Sequence, residues 1–389
     1  MHFTTTFSKF SLLVVFALHL TSGQLLTVEY SSVTLPFPES SVRTFYSTGD
    51  KIYLLGGDFE MSSGIWSFSI SSDTVEYVTA MPGRGSRGTV QSDTAGNIYY
   101  LGGGNIGTSN QVYKFDPTTN ECTLVATLPL DVQDCVAIKY NETSDTVHIF
   151  GGDGQFIDIL TFDLLQFNTT SQVDVLPVIV NQGTGVRVGN KAYIFSEGQV
   201  ENTAVLELDL DILRMMAVGP ANLPSITLFP SSVYDGRHVY LIGGYAPSNM
   251  TTPIDGLIQF DPVSFNNEFI PVANFPVEGA SYFRVSPATV YVPDLNRIYF
   301  FGGSSFNYTT DEFKIHDEIF YIDLDPLTPT SRSTDDFGCE GRMDGLYPHP
   351  TNCGMYVACR NHEQIVFNCE PDRQFDPITK TCKFGTPCV

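Results

Sequence analysis

An alternating apolar run closed by two glycines recurs at near-constant spacing along most of this chain, and no other feature constrains its fold so tightly. It reads Ile52-Tyr53-Leu54-Leu55-Gly56-Gly57, then Ile98-Tyr99-Tyr100-Leu101-Gly102-Gly103, then Val147-His148-Ile149-Phe150-Gly151-Gly152. It returns as Val239-Tyr240-Leu241-Ile242-Gly243-Gly244 and Ile298-Tyr299-Phe300-Phe301-Gly302-Gly303, with a worn copy, Ala192-Tyr193-Ile194-Phe195-Ser196-Glu197, in the gap between. The first glycine positions, with Ser196 standing in, are 56, 102, 151, 196, 243 and 302, so the intervals are 46, 49, 45, 47 and 59 residues. A second strand phrase follows each copy and usually ends in Asp: Phe115-Asp116, Phe162-Asp163, Leu208-Asp209, Phe260-Asp261 and Ile322-Asp323, with Phe68-Ser69 the exception. A short strand and a turn such as Thr48-Gly49-Asp50 precede each glycine pair, and another β-rich stretch closes the unit. Each unit therefore reads as four antiparallel strands.

One four-stranded sheet buries its faces poorly, whereas radial stacking buries both faces of every unit. The paired glycines end a strand where the backbone turns and a neighbouring unit closes in. The long last interval predicts an insertion between Phe265 and Asn296. Beyond Ile322-Asp323 the chain reaches Pro326 and Pro329 with no room for another strand. The β-rich segment Leu25 to Val33 is expected to supply the missing outer strand of the last unit, which removes the open edges.

Hydrophobic run, Gly-Gly and a following aromatic-Asp strand resemble kelch repeats. The resemblance covers residues 24–329 and implies an all-β, six-bladed kelch-type β-propeller. Two departures stand out: kelch repeats usually carry a late Trp, whereas this chain has only Trp66, in a different strand, and Ser196-Glu197 replaces one glycine pair.

After a polar linker at 330–335, residues 336–389 carry Cys339, Cys353, Cys359, Cys369, Cys382 and Cys388, separated by 13, 5, 9, 12 and 5 residues. So short a segment buries too little core to be stable without cross-links, and six cysteines allow fifteen pairings. A zinc site fits poorly, because the cysteines stand singly and far apart. With Tyr347-Pro348-His349-Pro350 and Phe375-Asp376-Pro377, the pattern resembles the chitin-binding type 2 (peritrophin-A) domain, a small disulfide-rich β domain. The resemblance implies Cys339–Cys359, Cys353–Cys388 and Cys369–Cys382. It also implies binding of chitin or a related N-acetylglucosamine polymer, a neutral ligand held by stacked rings and hydrogen bonds. Candidate platforms are Tyr347, Tyr356, Phe367 and Phe375, with Asn361 and Glu363 as hydrogen-bonding partners. In so small a domain some of these rings must be core, and Phe375 and Tyr356 serve packing as readily as binding. The family often has an aromatic where Val357 stands and a glycine where Asp372 stands.

Lys9 followed by the apolar run Phe10 to Leu20 and by Thr21-Ser22-Gly23 reads as a signal peptide over residues 1–23. The run is too short to span a bilayer. Sequons at Asn141, Asn168, Asn249 and Asn307 and clustered cysteines agree with a secreted, extracellular glycoprotein, placed by its C-terminal domain in a chitinous matrix. A formal net charge of −23 argues against nucleic acid and anionic membrane surfaces as partners. Cys122 and Cys135 leave open whether they are bonded.

Catalytic signatures are sparse: no G-x-S-x-G elbow, H-E-x-x-H or P-loop occurs. The copper site of galactose oxidase, another kelch-like propeller, needs paired His and Tyr ligands with a Tyr–Cys link. The histidines here are His148, His238 and His316, of which the first two sit in or beside repeated strands where structure explains them, so such a site finds little support. No metal or cofactor is expected. The expected function is non-catalytic: a chitin anchor carrying a propeller that presents loops to a protein or glycan. The alternatives are a carbohydrate-active enzyme targeted to chitin, with paired carboxylates in its channel, and a scaffold that has lost chitin binding.

Overall fold

The computed structural model describes residues 26–104, 109–152, 158–172, 176, 180–197, 205–218, 230–243, 256–276, 282–285, 288–307, 310, 312–324, 345–349, 355–360, 363–368, 373–376 and 381–384. The expected signal peptide, the linker, Asn249, Asn361 and Cys339, Cys353, Cys369 and Cys388 lie outside these residues.

Each glycine-closed phrase is the second strand of an antiparallel quartet. In the first, Arg43–Ser47, Lys51–Leu55, Gly64–Ser69 and Thr74–Ala80 pair in order. The same pattern repeats in the sheets running from Thr89–Ser92 to Glu121–Thr127, from Val136–Lys139 to Thr169–Gln172 and from Asn181–Val188 to Arg214–Val218. The expectation of six separate sheets needs correcting here. Four four-stranded sheets stand alone, and the quartets beginning at Ser231 and Ala288 share one eight-stranded sheet. The join is a short parallel pairing, Leu26 beside Val272 and Thr27 beside Ala273.

That join arises because the strand Leu26–Thr34 closes the last quartet as expected. It pairs antiparallel with Glu318–Asp323, Val28 opposite Ile322, and its first residues reach across to the preceding quartet. The predicted insertion is the strand Tyr282–Val285, which leaves the quartets and pairs with Ser304–Asn307, itself paired with Glu312–Ile315. Among the described residues no helix is long and apolar enough to cross a membrane.

The core lies between quartets rather than within one. Ile52, Leu54 and Phe68 pack on Tyr299, Phe301 and Ile319, while Tyr53 and Leu55, on the opposite face of the same sheet, pack on Ile98, Tyr100 and Phe115. Equivalent clusters fill every other junction around the circuit. Alternation with both faces buried is why these strands read as nearly continuous apolar runs. The first strands of successive quartets neighbour one another in a closed circuit, Arg43–Ser47 touching both Thr89–Ser92 and Ala288–Val292. The arrangement is propeller-like.

The glycine pairs act as latches between quartets. The second glycine's amide donates to a carbonyl just ahead of the next quartet: Gly57 to Gly85 (2.7 Å), Gly103 to Val132 (2.6 Å), Gly152 to Val180 (2.8 Å) and Gly303 to Glu39 (2.8 Å). At Gly152 the backbone is left-handed (φ 104°), and a Cβ would lie 2.3 Å from the Gln133 carbonyl oxygen. Where Ser196-Glu197 replaces the pair, the strand Lys191–Glu197 continues and pairs Glu197 with Asn181 across a register shift.

Four of the five repeated aspartates are turn caps, while Asp323 pairs with Arg297. The carboxylates of Asp116, Asp163, Asp209 and Asp261 accept the amide two residues on, at 2.8, 2.8, 2.9 and 2.8 Å. The turns close through Asn120, Phe167, Leu213 and Phe265 in the left-handed region. In the exceptional first unit Asp50 substitutes from the adjacent turn, accepting the Ser71 amide (2.6 Å) and the Ser69 hydroxyl.

Candidate functional site

In the C-terminal segment, Gly345–Pro348, Met355–Arg360 and Glu363–Asn368 form an antiparallel sheet, and Arg373–Asp376 pairs with Thr381–Phe384. Register separates the candidate residues. Tyr347 lies opposite Val357, whereas Tyr356 lies opposite Pro348 and Phe367. Directly opposed residues share a face and successive ones alternate, so Tyr347 and Val357 occupy one face and Tyr356 the other. Val357 is fully buried, which marks its face as the interior. Tyr347 shares that face and is half-buried, while Tyr356 is half-buried beside exposed Pro348.

The four aromatic candidates therefore do not form one platform. Tyr347 sits on the core-facing side because it lies directly opposite Val357, and opposed residues share a face. Tyr356 moves the other way, from a suspected packing residue to the outer face. Residue 357 points inward, so a valine where the family often has an aromatic alters packing and leaves the outer face unchanged. For Phe367, Phe375 and Glu363 the backbone places are opposite Tyr356, Cys382 and Arg360. Asn361 lies outside the described residues. Of the six cysteines, Cys359 stands opposite Gly345 and Gln364, and Cys382 opposite Phe375.

In the larger domain the conspicuous histidines have structural partners. His148 is buried and its Nδ1 meets Thr161 Oγ1 at 3.0 Å across the strand pair; burial pulls its pKa down to about 4. Buried His316 bonds through Nε2 to Ser305 Oγ at 2.7 Å. Cys122 and Cys135 are both free thiols, and burial pushes each pKa up to about 12. Cys122 lies in the outermost strand of its quartet and Cys135 beside the innermost strand of the next. Three strand spacings, about 14 Å, separate such positions, well beyond disulfide reach. Of the sequons, Asn168 is exposed ahead of the strand Thr169–Gln172, Asn141 is half-buried in a turn and Asn307 ends the strand Ser304–Asn307.

Sequence reasoning weighed paired carboxylates in the channel and missed the residues that line the space enclosed by the innermost strands. That space is a cavity of about 220 Å³ lined by two or three residues from each first strand or its approach, among them Arg43, Gln91, Thr184, Ser232 and Thr289. The signal available was hydroxyl or amide side chains in five of the six first strands, Val136–Lys139 being the exception, where the eye follows the apolar second strand instead.

With this geometry in place, comparison with known proteins bears on the smaller domain first. Residues 339–388 match the family described as the Chitin binding Peritrophin-A domain. Within this region 48 residues, 12% of the chain, are 33% identical to a protein named "Probable endochitinase" of Caenorhabditis elegans. The matched stretch is 8% of that protein's length. The larger domain resembles the solved structure of YjhT, with a TM-score of 0.54 and 16% identity, covering 74% of this chain and 96% of that one. A likeness at that identity bears on the fold alone.

Proposed function

We propose that this is a secreted, non-catalytic chitin-binding protein, in which the C-terminal domain anchors the chain to a chitinous extracellular matrix. The match of residues 339–388 to a chitin-binding domain carries the reading, and the outward register of Tyr356 supports it. A neutral polysaccharide offers no charge to grip, so the flat ring of Tyr356 stacks on a sugar face and Phe367, Phe375, Asn361 and Glu363 complete the contact. Cys339–Cys359, Cys353–Cys388 and Cys369–Cys382 hold this small domain together.

In the same reading the larger domain is a six-bladed kelch-type propeller, the eight-stranded sheet counting as two blades, and serves as a scaffold for a protein or glycan partner. The closed circuit of first strands supports that count. Asn141, Asn168, Asn249 and Asn307 are the proposed glycosylation sites.

The full-length protein should sediment with chitin beads, and Tyr356→Ala should weaken retention about tenfold or more, with Tyr347→Ala acting through stability instead. Equal retention of wild type and Tyr356→Ala would refute the platform, and no retention of wild type would refute anchoring. Incubation with chitin oligomers should leave them intact by mass spectrometry; cleavage or oxidation products would overturn the non-catalytic reading.

A further inference from the structure

Among the described residues, the channel at the centre of the larger domain holds a cation without a counter-ion. The chain has 43 Asp and Glu against 20 Lys and Arg, so its basic groups have acidic partners in excess. Other arginines use them: Arg87 pairs with Asp134, Arg187 with Glu142 and Arg297 with Asp323. Arg43 is different. Its Nε donates to the Gly88 carbonyl oxygen (2.5 Å), which ties the side chain to the next quartet. Its terminal nitrogens make no hydrogen bond or ion pair among the described residues, and no carboxylate stands among the residues lining the cavity.

A guanidinium cannot shed its proton to escape this position, and a half-buried charge without a partner is costly. The charge bears on groups across the space: it opposes the effect of burial on both Tyr100 and Cys135, the latter two quartets away. The walls around it are already organised. Thr44 Oγ1 donates to the Thr289 carbonyl oxygen (2.7 Å), Gln91 Nε2 to that of Ala137 (2.7 Å), and Thr184 and Ser232 share a 2.6 Å hydroxyl contact. These bonds run between neighbouring first strands, so the cavity is built by the ring itself. At about 220 Å³ it is smaller than the usual drug-sized pocket.

The location favours access. The cavity lies at the end of the channel where the first strands begin, beside the glycine pairs, since Arg43 is opposite Leu55 and Thr89 opposite Leu101. Tight turns such as Thr48 to Asp50 cap the other end, whereas this end carries the longer connections, for example residues 56–63 and 302–317. Binding residues concentrate on such loop-rich ends.

We propose that this cavity binds a small hydroxylated molecule through an oxyanion, a carboxylate, sulfate or phosphate group, held bidentately by Arg43 and surrounded by hydroxyls of the inner strands. The site is independent of chitin binding. Isothermal titration of the full-length protein at constant ionic strength, with sulfate, phosphate, gluconate and uncharged glucose, tests it. At least one anion should bind with one-to-one stoichiometry and glucose should not; gluconate against the inorganic ions tells whether the hydroxylated carrier matters. Arg43→Gln should weaken binding at least about tenfold, the effect of losing a bidentate charge-assisted contact, while chitin-bead retention stays unchanged. Selenate soaked into crystals of the unmodified protein should show its anomalous peak on Arg43, which keeps the test decisive should the variant not fold. Absence of saturable anion binding, equal affinity in Arg43→Gln, or selenate lodged elsewhere would overturn the proposal.

Discussion

At the scale of single residues, the repeat assigns side chains to places whose chemistry the structure then explains. His148 stands in a core strand, where an apolar residue would serve, and its ring is kept neutral by burial. A histidine whose folded pKa lies near 4 and whose unfolded pKa lies near 6.5 binds more protons when unfolded over that window. Stability therefore falls as pH drops from about 6.5 toward about 4, by roughly 3 kcal/mol from this group. His148→Gln should remove that part of the slope, which denaturant titrations of the two proteins at pH 7 and pH 4.5 would show; identical slopes would mean the ring is not buried neutral. Tyr356 and Tyr347 make the opposite lesson plain, since two tyrosines of the same motif take opposite faces because of a pleat.

At the scale of elements, the glycine pair is both a strand terminator and a joint. Gly152→Ala forces a Cβ against the Gln133 carbonyl in a left-handed backbone and should cost roughly 2–5 kcal/mol. Gly49→Ala is a matched control: its φ is 103° and nothing lies within 4 Å of the added carbon, so only the backbone strain remains, about 1–2 kcal/mol. Urea unfolding of both variants would decide, and equal losses would deny the glycine its role as an inter-quartet latch. The aspartate turns were legible in sequence as a repeated residue type. Their reason became visible only with the hydrogen bonds, including the substitution of Asp50 for the missing aspartate at Ser69.

At the scale of the molecule, the N-terminal strand completes a sheet whose other strands come from the far end of the domain. Leu26 and Val28 bury their side chains in the core of the last two quartets. Removing residues up to Thr34 should uncover the Glu318–Asp323 strand as an open edge. Size-exclusion chromatography should then show soluble aggregates and thermal unfolding a broadened transition. A monomeric truncation with an unchanged melting temperature would show that closure contributes nothing.

Sequence alone determined what is local or periodic: the strand quartets, the glycine joints, the closing strand and the place of the inserted segment, together with a cysteine pattern specific enough to indicate a domain type. These depend on alternation and spacing, which a linear chain displays directly. Tertiary structure decided the sharing of one sheet by two quartets, the separation of Cys122 from Cys135, the outward face of Tyr356 and, among the described residues, a channel guanidinium set beside hydroxyls of most of the inner strands. Each of these depends on register or proximity between segments far apart in the chain, and no local periodicity carries that information.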